Sequence, residues 1–241
     1  MIDSISITNL RKVFNNSVIL SSVSFNIKRG ECVAIIGKNG AGKSTICNIM
    51  SRLIRQDEGS FKIDNVEITD QHLLWGKKIR FLLSHEYLIK ELSINDYLMA
   101  LGKLMGLNKK YLTTRIPYLI KFLEIGDSTM EIGELSSGNK MLVKIAFMLL
   151  NEPEVIVLDE PFINLDLHYK NKIHELLLSL NKEGKTIIMI THYPEEVFSI
   201  AQRVLILDDG EIIQDLLISE YIDYKHFFDR VSSFINPKEY D

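Results

Sequence analysis

The chain opens on alternation. In "SISI" (residues 4–7) and in the later part of "SVILSSVSFNI" (17–27) every second residue is apolar, the period of a half-buried strand. A turn at "KRGE" leads into "ECVAIIG" (31–37), an apolar run ending in glycine that predicts a buried core strand. In "STICNIMSRLI" (44–54) the spacing changes to that of a helix, with Ile46, Ile49, Met50 and Leu53 on one face. "GSFKIDNVEI" (59–68) returns to alternation and reads as a hairpin turned at Asp64-Asn65.

From residue 86 to 150 the periodicity is mainly helical. Leu92, Tyr97, Leu98, Leu101 and Leu104 mark one face, and Ile116, Leu119, Ile120 and Leu123 mark another after a break near Leu107. "VIVLDEP" (155–161) is apolar enough for a buried parallel strand. A helix through "KNKIHELLLSLNKEGK" (170–185), the strand "TIIMITH" (186–192), a further helix and "RVLILDDGEII" (203–213) follow. Strands alternating with helices predict an α/β fold whose mainly parallel sheet is covered on both faces. No internal repeat or low-complexity linker interrupts it.

Candidate chemistry sits where this pattern turns. "GKNGAGKST" (37–45) fills G-x-x-x-x-G-K-[ST] with Gly37, Gly42, Lys43 and Ser44; Lys38, Asn39, Gly40 and Ala41 lie between, and Thr45 follows. Such a loop wraps backbone N–H groups around phosphate oxygens while the lysine meets the terminal phosphates. By chance the pattern arises in a chain of this length on the order of once in a hundred sequences. Strand, loop and helix is also the setting it requires; the alternative is a glycine-rich turn between any strand and helix. "VIVLDE" places Asp159 and Glu160 at the carboxyl end of a buried strand, where open α/β sheets present ligand groups. Asp159 there suits Mg²⁺ together with the Ser44 hydroxyl, which leaves Glu160 to polarise an attacking water. A solvated turn after the strand is the alternative.

The expected plan is one domain over 1–241. Residues 1–85 form an antiparallel β lobe and the P-loop part of the core, 86–150 an inserted helical lobe, 151–215 the remainder of the core and 216–241 a short tail. At 241 residues, 46% hydrophobic and 25% charged, the composition is that of an ordinary globular chain with one large core or two closely joined lobes. A net charge of −4 and pI near 5.9 argue against a nucleic-acid surface, and no nucleic-acid partner is expected. No run reaches the roughly 18 to 20 apolar residues of a membrane-spanning helix, and "MIDSISITNL" lacks the regions of a secretory signal. A soluble cytoplasmic chain is therefore expected. Cys32 and Cys47 have neither metal-ligand nor disulfide spacing and read as small core residues.

Taken in order, these motifs resemble those of the nucleotide-binding domain of ABC transporters, over nearly the whole chain. Besides "GKNGAGKST" and "VIVLDEP" the resemblance covers "LSSGNK" (135–140) as the signature, "FINLD" ending in Asp166 as the D-loop, and "THYPEEV" with His192 as the switch histidine. By themselves "LSSGN" reads as a helix N-cap and His192 as a satisfied histidine after a strand. The resemblance implies that Ser136 and Gly138 close over the nucleotide held by a second subunit, that His192 contacts its γ-phosphate, and that Phe14 in "RKVFNNSV" stacks on adenine. A lone Phe is otherwise usually core.

Three departures stand out. After the "FLL" strand the family has a glutamine, whereas here Ser84 aligns with His85 and Glu86 beside it; serine is too short for the same metal and water contacts. Ser137 replaces the usual first glycine of the signature and Asn139 its usual glutamine. The resemblance implies an ATPase that uses ATP and Mg²⁺. It would pair with a second copy of itself or a paralogous subunit, and dock on integral membrane permease subunits at the cytoplasmic face. The short stretch after "DDGEII" and the lysine of "LSSGNK" are similar to exporters of the ABC-2 kind, so export is expected. The alternatives are a non-transport ABC ATPase acting on ribosomes or DNA and a low-turnover assembly module.

Overall fold

The structure is a computed structural model that describes residues 3–68, 78–83 and 87–235. Strands β1 (Asp3–Phe14) and β2 (Ser17–Lys28) form a hairpin turned by Asn15 and Asn16, at φ 46° and 65°. Two successive left-handed residues are what a type I′ turn demands, and asparagine tolerates them. β1 also pairs with β4 (Glu58–Ile63), and β4 with the short β5 (Val66–Glu67), giving an antiparallel sheet in the order β2-β1-β4-β5. The expected turn at Asp64-Asn65 is there, at φ 48° and 64°.

The second sheet has the order β10-β9-β3-β8-β7-β6. β3 (Cys32–Ile36), β6 (Ile79–Leu82), β7 (Val155–Asp159), β8 (Thr186–Thr191) and β9 (Arg203–Asp208) run parallel, and β10 (Glu211–Leu217) returns antiparallel on β9. Side chains of the central strands alternate between two cores. Cys32, Ala34, Ile36, Ile156, Leu158, Ile187 and Met189 face one, and Val33, Ile35, Val157, Ile188 and Ile190 the other. The second core also holds Ile5, Ile7 and Phe61 of the antiparallel sheet and the apolar side of α1 (Lys43–Met50). α1 therefore shares one core with both sheets, and the loop ahead of it is anchored by two layers.

α1 is shorter than its periodicity suggests. It ends at Met50; Arg52 is left-handed (φ 63°), its guanidinium bonds Gln56 and the Ile68 carbonyl, and Leu53 is left exposed as the chain turns toward β4.

The helices α2 (Ile94–Leu104), α3 (Lys109–Phe122) and α4 (Ser137–Met148) pack in the first core. Ser93 and Asn108 cap α2 and α3 by accepting from the N–H groups of Asp96 and Tyr111. The break near Leu107 thus consists of Gly106 at φ 76° and a new cap. Leu104, expected on the apolar face, is exposed at the end of α2. α5 (Leu167–Lys182) starts earlier than expected because Asp166 caps it; α6 (Pro194–Val197) and α7 (Tyr224–Ile235) follow among the described residues. Cys32 and Cys47 are buried, and burial pushes the Cys32 thiol up to about 12.

Candidate functional site

Between β3 and α1 the backbone makes a loop that only glycine permits at two points. A Cβ on Gly37 would lie 2.2 Å from the Leu207 carbonyl oxygen of β9, so β9 and the loop touch backbone to backbone. Gly42 has φ 106°, and a Cβ there would also meet Leu20 at 2.6 Å. Gly42 is the N-cap of α1 and offers no side chain to the first turn. Those N–H groups thus remain available to an anion, which the helix dipole favours. The Gly210 N–H donates to Ala41 O at 3.3 Å, and the Lys38 ammonium stands 3.6 Å from Asp208, tying the loop to the turn after β9.

Lys43 folds back into its own loop. Its Nζ donates to Gly37 O at 2.6 Å and Lys38 O at 2.8 Å, and the residue is only 7% exposed. Burial holds the ammonium below its ordinary pKa, while the nearby carboxylates of Glu160 and Asp159 pull the other way. A cation held by two carbonyls at the mouth of a glycine loop is already placed for phosphate oxygens.

Across from it, Asp159 ends β7 and is buried. Glu160 follows at φ 52°, its N–H donating to Ile190 O at 2.8 Å. A left-handed glutamate carries strain of about 1–3 kcal/mol, of the kind that gathers at functional positions. The Glu160 carboxylate has two fixed partners: Oε1 lies 2.7 Å from His192 Nδ1, and Oε2 lies 3.2 Å from the Thr191 hydroxyl. That same hydroxyl is 2.9 Å from Glu196 Oε2, and Glu196 Oε1 is 3.3 Å from Lys170 Nζ. One hydroxyl proton serves only one of the two acids at a time. Burial raises the Glu196 pKa, against the bonds from Thr191 and Lys170 that lower it.

A cavity of about 330 Å³ lies between the glycine loop and Glu160, and neither Asp159 nor His192 is in its lining. Phe14, Asn39, Gly40, Gly42, Lys43, Ser44, Thr45 and Glu160 line it. Phe14 is exposed at 42%, with the Lys12 ammonium 5.1 Å from its ring centroid, so its ring is free to meet a ligand rather than filling the core. The Ser44 hydroxyl and the Asp159 carboxylate are hard oxygen donors of the type Mg²⁺ takes, and so sparse a protein set fits that ion, which keeps phosphate and water oxygens as its other ligands.

Ser136, Gly138 and Asp166 do not join that lining. Ser136 caps α4, accepting from the Asn139 N–H at 3.2 Å, and Asp166 caps α5, accepting from the Tyr169 N–H at 3.0 Å. The two helix starts meet at Tyr169, whose ring packs against Gly138. Ser84, His85 and Glu86, the site of the missing glutamine, lie outside the described residues. Sequence reasoning passed over Thr191, Glu196, Lys170 and Tyr169. Glu196 offers only an acid in the first turn of a helix, which the helix dipole alone explains.

A family model described as ABC transporter matches residues 20–163. The Nod factor export ATP-binding protein I of Bradyrhizobium diazoefficiens is 30% identical over 223 residues, covering 90% of this chain and 73% of that protein. The methionine import ATP-binding protein MetN 4 of Oceanobacillus iheyensis is 35% identical over 224 residues, covering 88% of this chain and 64% of that protein. Among solved structures, the dimeric post-hydrolysis state of the ATP-binding cassette MJ0796 bound to ADP and Pi aligns with a TM-score of 0.79 at 28% identity, covering 89% of this chain and 98% of that one.

Proposed function

The chain belongs to the ABC transporter family, and from that premise we propose that it is the ATP-hydrolysing subunit of a transporter, working as a head-to-tail dimer around two Mg-ATP. The observation that carries the reading is Lys43 and Glu160 lining one cavity with a glycine loop and an uncapped helix start, with His192 bonded to Glu160 behind it.

The loop N–H groups and Lys43 bind and orient the triphosphate, and Phe14 stacks on the adenine. Ser44 and Asp159 would hold Mg²⁺, which would supply neutralisation of the phosphate charge. Glu160 accepts the proton of the attacking water; His192, bonded to it through Nδ1, leaves Nε2 for the γ-phosphate. Ser136 and Gly138 of each chain close the other's site, with Asp166 in the segment beside them. The partner copy is the same chain or a paralogue.

Power is delivered to integral membrane subunits, so the chain is peripheral at the cytoplasmic face; among the described residues no helix is long and apolar enough to cross a membrane. Tyr87, Leu88, Ile163 and Leu165 line an open groove of about 400 Å³ bordered by Lys90, Lys140 and Lys144. There we place a short helix of the membrane subunit. Export is favoured by the lysine after the signature and by similarity to a Nod factor export protein, with an import protein also among the relatives.

Steady-state ATPase measurements on the purified chain, beside co-purification from detergent-solubilised membranes, test the proposal. Turnover together with capture of an integral membrane protein supports it. A chain that binds ATP and neither hydrolyses it nor retains a membrane partner overturns it.

A further inference from the structure

Tyr169 stands where the starts of α4 and α5 meet. Its own N–H is capped by Asp166, and its side chain reaches the signature: the phenol donates to Asn139 Oδ1 at 3.0 Å and lies 3.3 Å from Ser136 Oγ. A phenol has one proton. With that proton on Asn139, the Ser136 hydroxyl donates to the phenol oxygen while its own oxygen accepts from the Asn139 N–H. The ring fills the space over Gly138 so closely that a Cβ there would fall 2.2 Å from it. Glycine at 138 and asparagine at 139 thereby have a local reason: one makes room for the ring, and the other offers an acceptor at the reach of its hydroxyl.

We propose that Tyr169 is a positioning residue of the composite nucleotide site. It sets the direction of the Ser136 hydroxyl and holds the signature segment and the Asp166 segment at a fixed separation, so that both meet the partner's nucleotide as one body. The inference rests on the head-to-tail dimer of the proposed function. When a γ-phosphate arrives, the Ser136 proton rotates from the phenol to a phosphate oxygen, and the ring keeps Gly138 and Asn139 in place. Pre-orientation of this kind reduces the ordering cost of closure.

The test uses the full chain carrying Glu160→Gln, which is expected to accumulate as an ATP-bound dimer. Tyr169→Phe in that background keeps the ring and loses the hydroxyl. The melting temperature and the affinity of dilute monomer for a fluorescent ATP analogue should stay unchanged, because the P-loop is untouched. The ATP concentration for half-maximal dimerisation, read by size exclusion, should rise about three- to tenfold, the range for one net hydrogen bond. Asn139→Ala should give a similar shift, and the double variant little more than either, as expected for residues acting through one contact. Dimerisation of Tyr169→Phe at the parent's ATP concentration overturns the inference. So does a parallel fall in melting temperature and monomer affinity, which would make Tyr169 a general support of the fold. A Glu160→Gln parent that stays monomeric at saturating ATP instead brings down the head-to-tail reading, and this inference with it.

Discussion

His192 Nδ1 lies 2.7 Å from Glu160 Oε1, so the residue after β7 and the residue after β8 share a hydrogen bond at the mouth of the phosphate loop. The parallel pairing of Asp159 with Ile190 fixes this meeting, because it brings the carboxyl ends of neighbouring strands level. The contact holds the carboxylate and the imidazole in one mutual orientation, and the other ring nitrogen, Nε2, takes no part in it.

Glu160→Gln keeps the shape and most of the hydrogen bonding and removes the base. Hydrolysis should fall by roughly 10² to 10⁴, while ATP binding survives. Loss of a negative charge facing the triphosphate should let the variant accumulate as a dimer, seen as a Mg-ATP-dependent doubling of mass in size exclusion. Normal turnover would move the base elsewhere, with His192 the first candidate.

Lys43→Ala removes the buried ammonium that Gly37 and Lys38 hold. Nucleotide affinity should drop by tenfold or more, on the order of one charge-assisted hydrogen bond. Mg-ATP at a hundred times the dissociation constant should stabilise the parent by about 2.7 kcal/mol. Thermal melts at millimolar ATP read both effects: a clear upward shift for the parent and a much smaller one for the variant. Equal shifts would remove Lys43 from the binding site.

Glu196 gives a pH dependence with a definite sign. Its folded pKa is raised above the ordinary 4.5, first by burial. The folded chain therefore keeps this proton at pH values where the unfolded chain has lost it. The contribution is complete below 4.5 and is lost as pH rises through the folded value. Glu196→Gln does not ionise, so its melting temperature relative to the parent should increase from pH 4 upward and then level off. A constant difference across that range would mean that Glu196 titrates normally.

Tyr87 is 91% exposed on the rim of the lysine-bordered groove. Tyr87→Glu should leave the melting temperature and the ATPase rate of the isolated chain unchanged and reduce co-purification of the membrane subunit. Engineered cysteines at Tyr87 and Ile163 should crosslink to that subunit. Retention of the partner by Tyr87→Glu, with no crosslink from either position, would place the docking surface elsewhere.

Much of the fold was legible because its core strands are short apolar runs bounded by glycine, acid or turn residues. "ECVAIIG" and "VIVLDE" carry their own ends, and those ends are where Lys43, Asp159 and Glu160 converge. Asp64-Asn65 was equally legible, because a type I′ turn requires two residues that tolerate positive φ. The stop of α1 at Met50 was not: Leu53 keeps the helical period, and the reversal depends on Arg52 bonding to Gln56 and to the carbonyl of Ile68, contacts beyond the helix itself. Tyr169 and Glu196 escaped for a related reason. Each sits near the start of a helix, where its type looks unremarkable, and its importance comes from partners such as Asn139, 30 positions away, and Lys170, 26 positions away.

The alternation of side chains along β3, β7 and β8 limits how this chain can change length. Inserting or deleting one residue within such a strand would send every later side chain into the opposite core, and would turn Asp159 to the other face at the end of β7. A change of two residues would preserve the faces and still move the strand end by about 6.6 Å, further than the reach of the glutamate that must meet His192. Growth and loss of sequence are thereby confined to the connections, and insertions in relatives should fall there, away from the strand ends that carry Asp159, Glu160 and His192.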